Sequence, residues 1–187
     1  MKKCYLMVGP SGAGKTTVRK TLIDLFRIES YNVFSLDTCR YKFMCAQHPG
    51  QWWSDNDTDA DMYNATFEYA KNHEKEFNVF IAEAWSKALE TDNLFVDNTN
   101  FTKKGRARWI QEARQKGFYV IGVEVMCKLQ TVLDRQKTRG DKSVPDGVVR
   151  NMYMSQQGLL LGAEVDSVMF VDTDQPVVAV EGMAGPC

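Results

Sequence analysis

The sequence predicts an α/β fold, a parallel sheet of about five strands with helices on both faces. Three observations predict it. Short runs rich in β-branched and aromatic residues alternate with stretches whose apolar residues recur at helical spacing. The first of these strands leads straight into Gly9-Pro10-Ser11-Gly12-Ala13-Gly14-Lys15-Thr16, a complete G-x-x-x-x-G-K-[ST] phosphate loop. Acidic and polar residues stand where later strands would end, at Asp37 and at Asp97-Asn98-Thr99-Asn100, and an open parallel sheet binds its ligands at the carboxyl ends of its strands.

Cys4 to Val8 reads as a short buried strand, and Thr16 to Phe26 as the helix after the loop. Between them, glycines let successive backbone N–H groups turn inward around phosphate oxygens. Lys15 would reach the β- and γ-phosphates, Thr16 would offer a hydroxyl to Mg²⁺, and the helix would aim its positive end at the same anion. Gly9, Ser11, Gly12, Ala13, Gly14, Lys15, Thr16 and Thr17 thus form the expected site for ATP or another nucleoside triphosphate. Asn32 to Asp37 reads as a second strand ending in an acid, with a short helix just after it. Gln47 to Thr58, holding Pro49 and Gly50, reads as a loop, and Asp59 to Glu90 as helix with a break near Phe77-Asn78.

Asn93 to Asp97 is the third predicted strand. Thr102 caps a helix that runs to Lys116 and stops at Gly117, and Phe118 to Val125 is the fourth strand. Gln130 to Thr138 is predicted helical, Gly140 to Pro145 a loop, Asp146 to Gln156 helical, and Val168 to Val171 the fifth strand. Residues 1–187 read as a single domain, with a lid at about 128–146 and a loose tail at 178–187.

No apolar run approaches membrane-spanning length, and Met1-Lys2-Lys3 leads directly into a strand, so a cytoplasmic protein without membrane contact is expected. The five cysteines, Cys4, Cys39, Cys45, Cys127 and Cys187, are odd in number and form no C-x-x-C pair, which predicts reduced thiols. Cys39, Cys45 and His48 lack a fourth ligand at zinc-like spacing, and His48 and His73 read as surface or packing residues. The net charge of −1 hides an asymmetry: from Phe101 to Arg150, twelve Lys or Arg stand against five Asp or Glu, whereas Asp55, Asp57, Asp59 and Asp61 form an acidic cluster. Lys103, Lys104, Arg106, Arg108 and Arg114 either offer a surface to a polyanion or solvate one helix face. Trp52 and Trp53 either stack on unpaired bases or pack their loop against the domain.

Asp37 and Arg40 are three apart and share a helix face if a helix begins there. The carboxylate could take a proton from an attacking hydroxyl while the guanidinium holds an anionic acceptor group; the other reading is an N-cap Asp with a surface Arg. Arg135 and Arg139 stand four apart beside Gly140, as cations on a hinged lid would, or as a solvated basic face would.

Asp37-x-x-Arg40, the Asp97-Asn98-Thr99-Asn100 turn with Arg106-Ala107-Arg108, and Arg135-x-x-x-Arg139-Gly140-x-Lys142-x-Val144-Pro145 together resemble the kinase domain of polynucleotide 5′-hydroxyl kinases, of the phage and metazoan types. That resemblance covers most of the chain and implies a P-loop kinase fold with an arginine-bearing lid, phosphorylating a 5′-OH end of DNA or RNA. It makes Asp37 the general base, places Lys15 and Arg139 on the migrating phosphoryl group and Arg135 on the donor, and sets Thr16 at Mg²⁺. Arg40 and Thr99 match positions that hold the acceptor's 3′-phosphate, and Val144 and Val148 positions that touch its base. Leu36 departs from the polar or basic residue such kinases often carry before the base. Asp172-Thr173-Asp174 is followed by Gln175-Pro176 rather than the Gly-Thr of a phosphatase nucleophile motif, so no phosphatase domain is expected. A small-molecule kinase acting on a nucleoside, sugar or antibiotic is the rival reading. A nucleotide switch fits less well, since no N-K-x-D guanine element is present, and the chain is short for a motor ATPase.

Overall fold

The computed structural model describes residues 1–47, 60–139 and 143–175. Its five strands form one parallel sheet in the order β2-β3-β1-β4-β5, from β1 (Lys2–Val8), β2 (Asn32–Phe34), β3 (Asn93–Val96), β4 (Phe118–Met126) and β5 (Ser167–Asp172). The intervening helices are α1 (Lys15–Leu25), α2 (Leu36–Gln47), α3 (Ala60–Asn72), α4 (Glu74–Ala88), α5 (Lys103–Gln115), α6 (Leu129–Lys137) and α7 (Asp146–Met154). Strand β1 lies in the middle, with Cys4 flanked by Leu94 and Val120. Side chains alternate across a strand, so β1 feeds two cores. Cys4, Leu6 and Val8 join Trp85 of α4 and Trp109 of α5, while Tyr5 and Met7 join Val18 of α1, Val132 of α6 and Val149 of α7. The predicted doubly covered sheet is therefore the observed one.

Several element ends move by one or two residues, and two larger differences have identifiable causes. Strand β2 stops at Phe34, and Leu36 and Asp37 already lie in the first turn of α2, because Cys39 N–H bonds the Ser35 carbonyl and the Asn98 side chain satisfies the amide of Leu36. The long helix between the second and third strands breaks at His73 rather than at Phe77-Asn78. His73 leaves helical geometry, its Nδ1 lies 2.9 Å from the Tyr69 carbonyl, and its own carbonyl accepts from Phe77 to start α4. Phe77 continues α4 and packs its ring 5.2 Å from that of Phe43. The predicted cap of α5 holds: Thr102 Oγ1 accepts from Gly105 N at 3.1 Å, and Gly117 follows the helix at φ +79.

The cations of α5 divide: Lys103, Lys104 and Arg108 are exposed, whereas Arg106 is turned into the protein. Arg106 is 0% exposed, bonding Glu164 through two nitrogens at 2.9 Å each and the carbonyls of Asn100, Gln157 and Gly158. It clamps the segment between α7 and β5 onto the turn after β3. Arg108 pairs with Glu112 and Arg114 with Asp166, both at 2.7 Å. Removing one member of a buried pair leaves its partner uncompensated, so Arg106→Met is expected to cost about 3 kcal/mol of stability in a denaturant titration.

Cys4, Cys39, Cys45 and Cys127 are free thiols, and burial pushes the Cys4 thiol up to about 12. No described helix is long and apolar enough to cross a membrane. His48, Trp52, Trp53, the acids Asp55, Asp57 and Asp59, the Gly140 hinge and the 178–187 tail lie outside the described residues.

Candidate active site

Strand β1, the turn after β3 and the start of α2 meet at the carboxyl ends of the strands, where an open cleft of about 390 Å³ is lined by Ser11, Gly12, Gly14, Lys15, Thr16 and Thr17 from the phosphate loop and α1, by Ser35, Asp37, Asp97, Asn98 and Thr99, and by Arg135 of α6 and Arg139 just beyond it. Convergence of these groups follows from the turn geometry. Asn100 sits at φ +48 and its Nδ2 donates to the carbonyls of Met7 at 2.9 Å and Val96 at 3.3 Å, tying the ends of β1 and β3 together. The Thr99 carbonyl accepts from Gly9 N at 3.0 Å, locking the start of the phosphate loop to the same turn. A larger groove of about 690 Å³ lies at the other end of the strands, around Lys3 and Asn93, away from the phosphate loop.

Lys15 Nζ donates to the carbonyls of Gly9 at 3.0 Å and Pro10 at 2.9 Å. Its burial lowers its pKa to about 8 from 10.5; the negative charges of Asp97 and Asp37 oppose that shift and Arg139 adds to it. Phosphate oxygens would favour the charged form, so a bound nucleotide holds the Lys15 proton more tightly than the free site does. Binding then takes up a proton above pH 8. Nucleotide affinity is expected to be flat up to about pH 7.5 and then to fall by up to tenfold per pH unit, as read by titration with a fluorescent nucleotide. The same depression makes charged Lys15 a cost to the fold below about 8, a cost that fades as pH rises toward 10.5.

Thr16 Oγ1 donates to Asp97 Oδ2 at 3.2 Å, and Arg19 Nε lies 3.2 Å from the same oxygen. Asp97 is held by its own backbone, whose N–H donates to the Phe34 carbonyl at 2.9 Å. Sequence reasoning placed Asp97 in the turn without giving it a role. An acid at the end of the strand beside the phosphate-loop strand was the available signal. A hydroxyl and a carboxylate together are hard oxygen donors that fit Mg²⁺.

Asp37 faces the cleft with its side chain 66% exposed and is ion-paired with Arg40, as the shared helix face predicted. Arg40 itself is largely covered and lies 4.6 Å over the ring of Phe67. The structure does not bring Arg40, Val144 or Val148 into the lining of the cleft. Val144 packs on the core shared by α6 and α7, and Val148 is exposed on α7.

Both lid arginines grip the phosphate loop. Arg135 Nη1 donates to Thr173 Oγ1 at 2.9 Å and to the carbonyls of Gly12 and Ala13 at 3.4 Å, and Arg139 Nη1 donates to Ser11 Oγ at 2.9 Å. Thr173, just past β5, donates in turn to the Ala13 carbonyl at 2.9 Å. Gln136, between the arginines, donates from Nε2 to the Ser11 carbonyl at 2.8 Å. Neither Thr173 nor Gln136 carries a sequence signal, since each acts on a loop more than a hundred residues away along the chain.

A family model described as an AAA domain matches residues 5–159, which hold the phosphate loop, Asp37, Asp97 and both arginines. The chain belongs to this AAA domain family. Its P-loop kinase-like fold recurs in solved structures. A putative kinase from Chloroflexus aurantiacus is 16% identical with a TM-score of 0.58, over 92% of this chain and 85% of that one. A gluconokinase from Sinorhizobium meliloti is 13% identical with a TM-score of 0.54, over 93% and 84%. A structure from the PezAT toxin-antitoxin system of Streptococcus pneumoniae is 17% identical with a TM-score of 0.60, over 94% and 70%. At these identities the likeness shows the fold this AAA domain adopts. No curated protein matches the chain.

Proposed function

We propose that this AAA domain transfers the γ-phosphoryl group of ATP to a hydroxyl of a small acceptor, in the class of nucleosides, sugars and antibiotics. The observation that carries this reading is the division of charge across the cleft. Its described cations, Lys15, Arg135 and Arg139, all come from the donor side, whereas the acceptor side offers Ser35, Asp37, Asn98 and Thr99. Hydroxyls, an amide and a carboxylate suit a polyol better than a polyanion. The fold shared with a gluconokinase supports a small acceptor on this scaffold.

In this reading Lys15 and Arg139 stabilise charge on the migrating phosphoryl group, and Arg135 keeps the loop in shape through Thr173. Asp37 takes the proton as the acceptor oxygen bonds to the γ-phosphorus and the bond to the departing ADP breaks. Thr16 and Asp97 would hold Mg²⁺, which when bound neutralises charge on the β- and γ-phosphates.

Transfer to a 5′-hydroxyl end is the competing reading, favoured by the Asp37–Arg40 pair on one face of α2. Ionic strength separates the two. For a small acceptor, the acceptor KM is expected to change less than about twofold between 50 and 200 mM salt, whereas a single strand held through three phosphates would weaken on the order of twentyfold. A steep salt dependence would overturn the small-acceptor reading.

A further inference from the structure

Gln136 stands apart from the arginines that flank it. It is 1% exposed, and both ends of its amide are used: Nε2 donates to the Ser11 carbonyl at 2.8 Å and Oε1 accepts from the Val144 amide at 3.0 Å. One side chain therefore joins the phosphate loop to the chain that enters α7. Its contact with the loop is close. A Cβ at Gly12, which sits at φ +91, would lie 2.7 Å from Gln136 Nε2. Beyond Val144, the Pro145 carbonyl accepts from the amides of Val148 and Val149, so the first turn of α7 is built on the segment Gln136 holds. Val149 and Val144 then pack on the same core as Val132 and Leu133 of α6.

We propose that Gln136 is a positioning residue that couples the phosphate loop to the amino-terminal end of α7, so that nucleotide held by the loop is felt at Val144 to Val149. The inference rests on the donor half of the reading above and needs no assumption about the acceptor. The coupling follows from amide chemistry. With a donor facing Ser11 and an acceptor facing Val144, the planar group has one orientation that satisfies both; rotated by half a turn, it sets acceptor against acceptor and donor against donor. Breaking either bond strands a buried polar group, so loop and α7 entry move together rather than apart. Among the described residues, the side chains of Arg135 and Arg139 bond the loop and the chain after β5. Among the described side chains of α6, the Gln136 amide spans from the loop to Val144.

Hydrogen exchange on the full chain, with and without Mg²⁺ and a non-hydrolysable ATP analogue, tests this directly. In the wild type, the analogue is expected to slow exchange in residues 9–17 and, by at least about fivefold, at the amides of Val144, Val148 and Val149. In Gln136→Met, which keeps the volume and removes both bonds, protection of the loop should persist while the nucleotide effect at Val144 to Val149 disappears. Gln136→Glu keeps the acceptor for Val144 but sets a carboxyl oxygen against the Ser11 carbonyl, and should lose the nucleotide effect at α7 together with some melting temperature. Failure of the analogue to protect residues 9–17 in the wild type would remove the donor reading and the coupling with it. Loop protection without any effect at Val144 to Val149 in the wild type, or an effect there that survives in the variants, would overturn the coupling alone.

Discussion

Asp37→Asn is expected to lower kcat by between about 10² and 10⁴, the range of a general base, while nucleotide affinity changes by less than about threefold. Three features separate this from a folding effect. Asp37 is on the surface of the first turn of α2, with a side chain 66% exposed, so an isosteric amide fits without repacking. The turn is held by Asn98 Oδ1 on the Leu36 amide at 2.8 Å and by the Ser35 carbonyl on Cys39, neither of which involves the Asp37 side chain. Loss of its charge at a helix amino terminus costs only about 0.3–1 kcal/mol, and loss of its half-exposed pair with Arg40 up to about 1 kcal/mol more. Melting temperature and nucleotide titration should therefore stay close to wild type while single-turnover transfer collapses. A kcat within threefold of wild type would assign the base elsewhere in the cleft.

Lys15→Met is expected to lower transfer by at least about 10² to 10³, the scale of removing one preorganised donor from a developing anionic centre. It should also flatten the pH dependence of nucleotide affinity, because the group that titrates near 8 is gone. Stability need not follow activity. The variant relieves the penalty on the Lys15 charge but gives up the Nζ bonds to the Gly9 and Pro10 carbonyls, so it should melt close to wild type at pH 7. An inactive variant that also melts much lower would be reporting lost structure, and a Lys15→Met protein whose affinity still falls above pH 8 would assign that titration to another group.

Sequence legibility follows how local the determinants are. The Thr102 cap and the Gly117 stop depend on neighbours within a few residues, and both stand as predicted. The β1 strand, alternating between two cores, is equally local. The start of α2 was misplaced because its amide is capped by Asn98, 62 residues further on. Arg106 looked like one cation among several, since the carboxylate and carbonyls that bury it lie more than fifty residues away, apart from Asn100. Gln136 was invisible for the same reason. Charge type and helical spacing suggested that Arg40 would face an acceptor, but the side chain of Phe67 on α3 provides a nearer surface, and spacing along α2 cannot reveal what another helix offers.

The most direct measurement is label transfer from γ-labelled ATP with Mg²⁺ to a panel of neutral sugars, nucleosides and hydroxylated antibiotics, set beside 5′-OH oligonucleotides and a 3′-nucleoside monophosphate. Label should appear on one or more of the small acceptors, be lost in Asp37→Asn, and be absent from the oligonucleotides. Label confined to oligonucleotide 5′ ends, or to the acceptor carrying a 3′-phosphate, would contradict a small-acceptor kinase and restore the 5′-end reading.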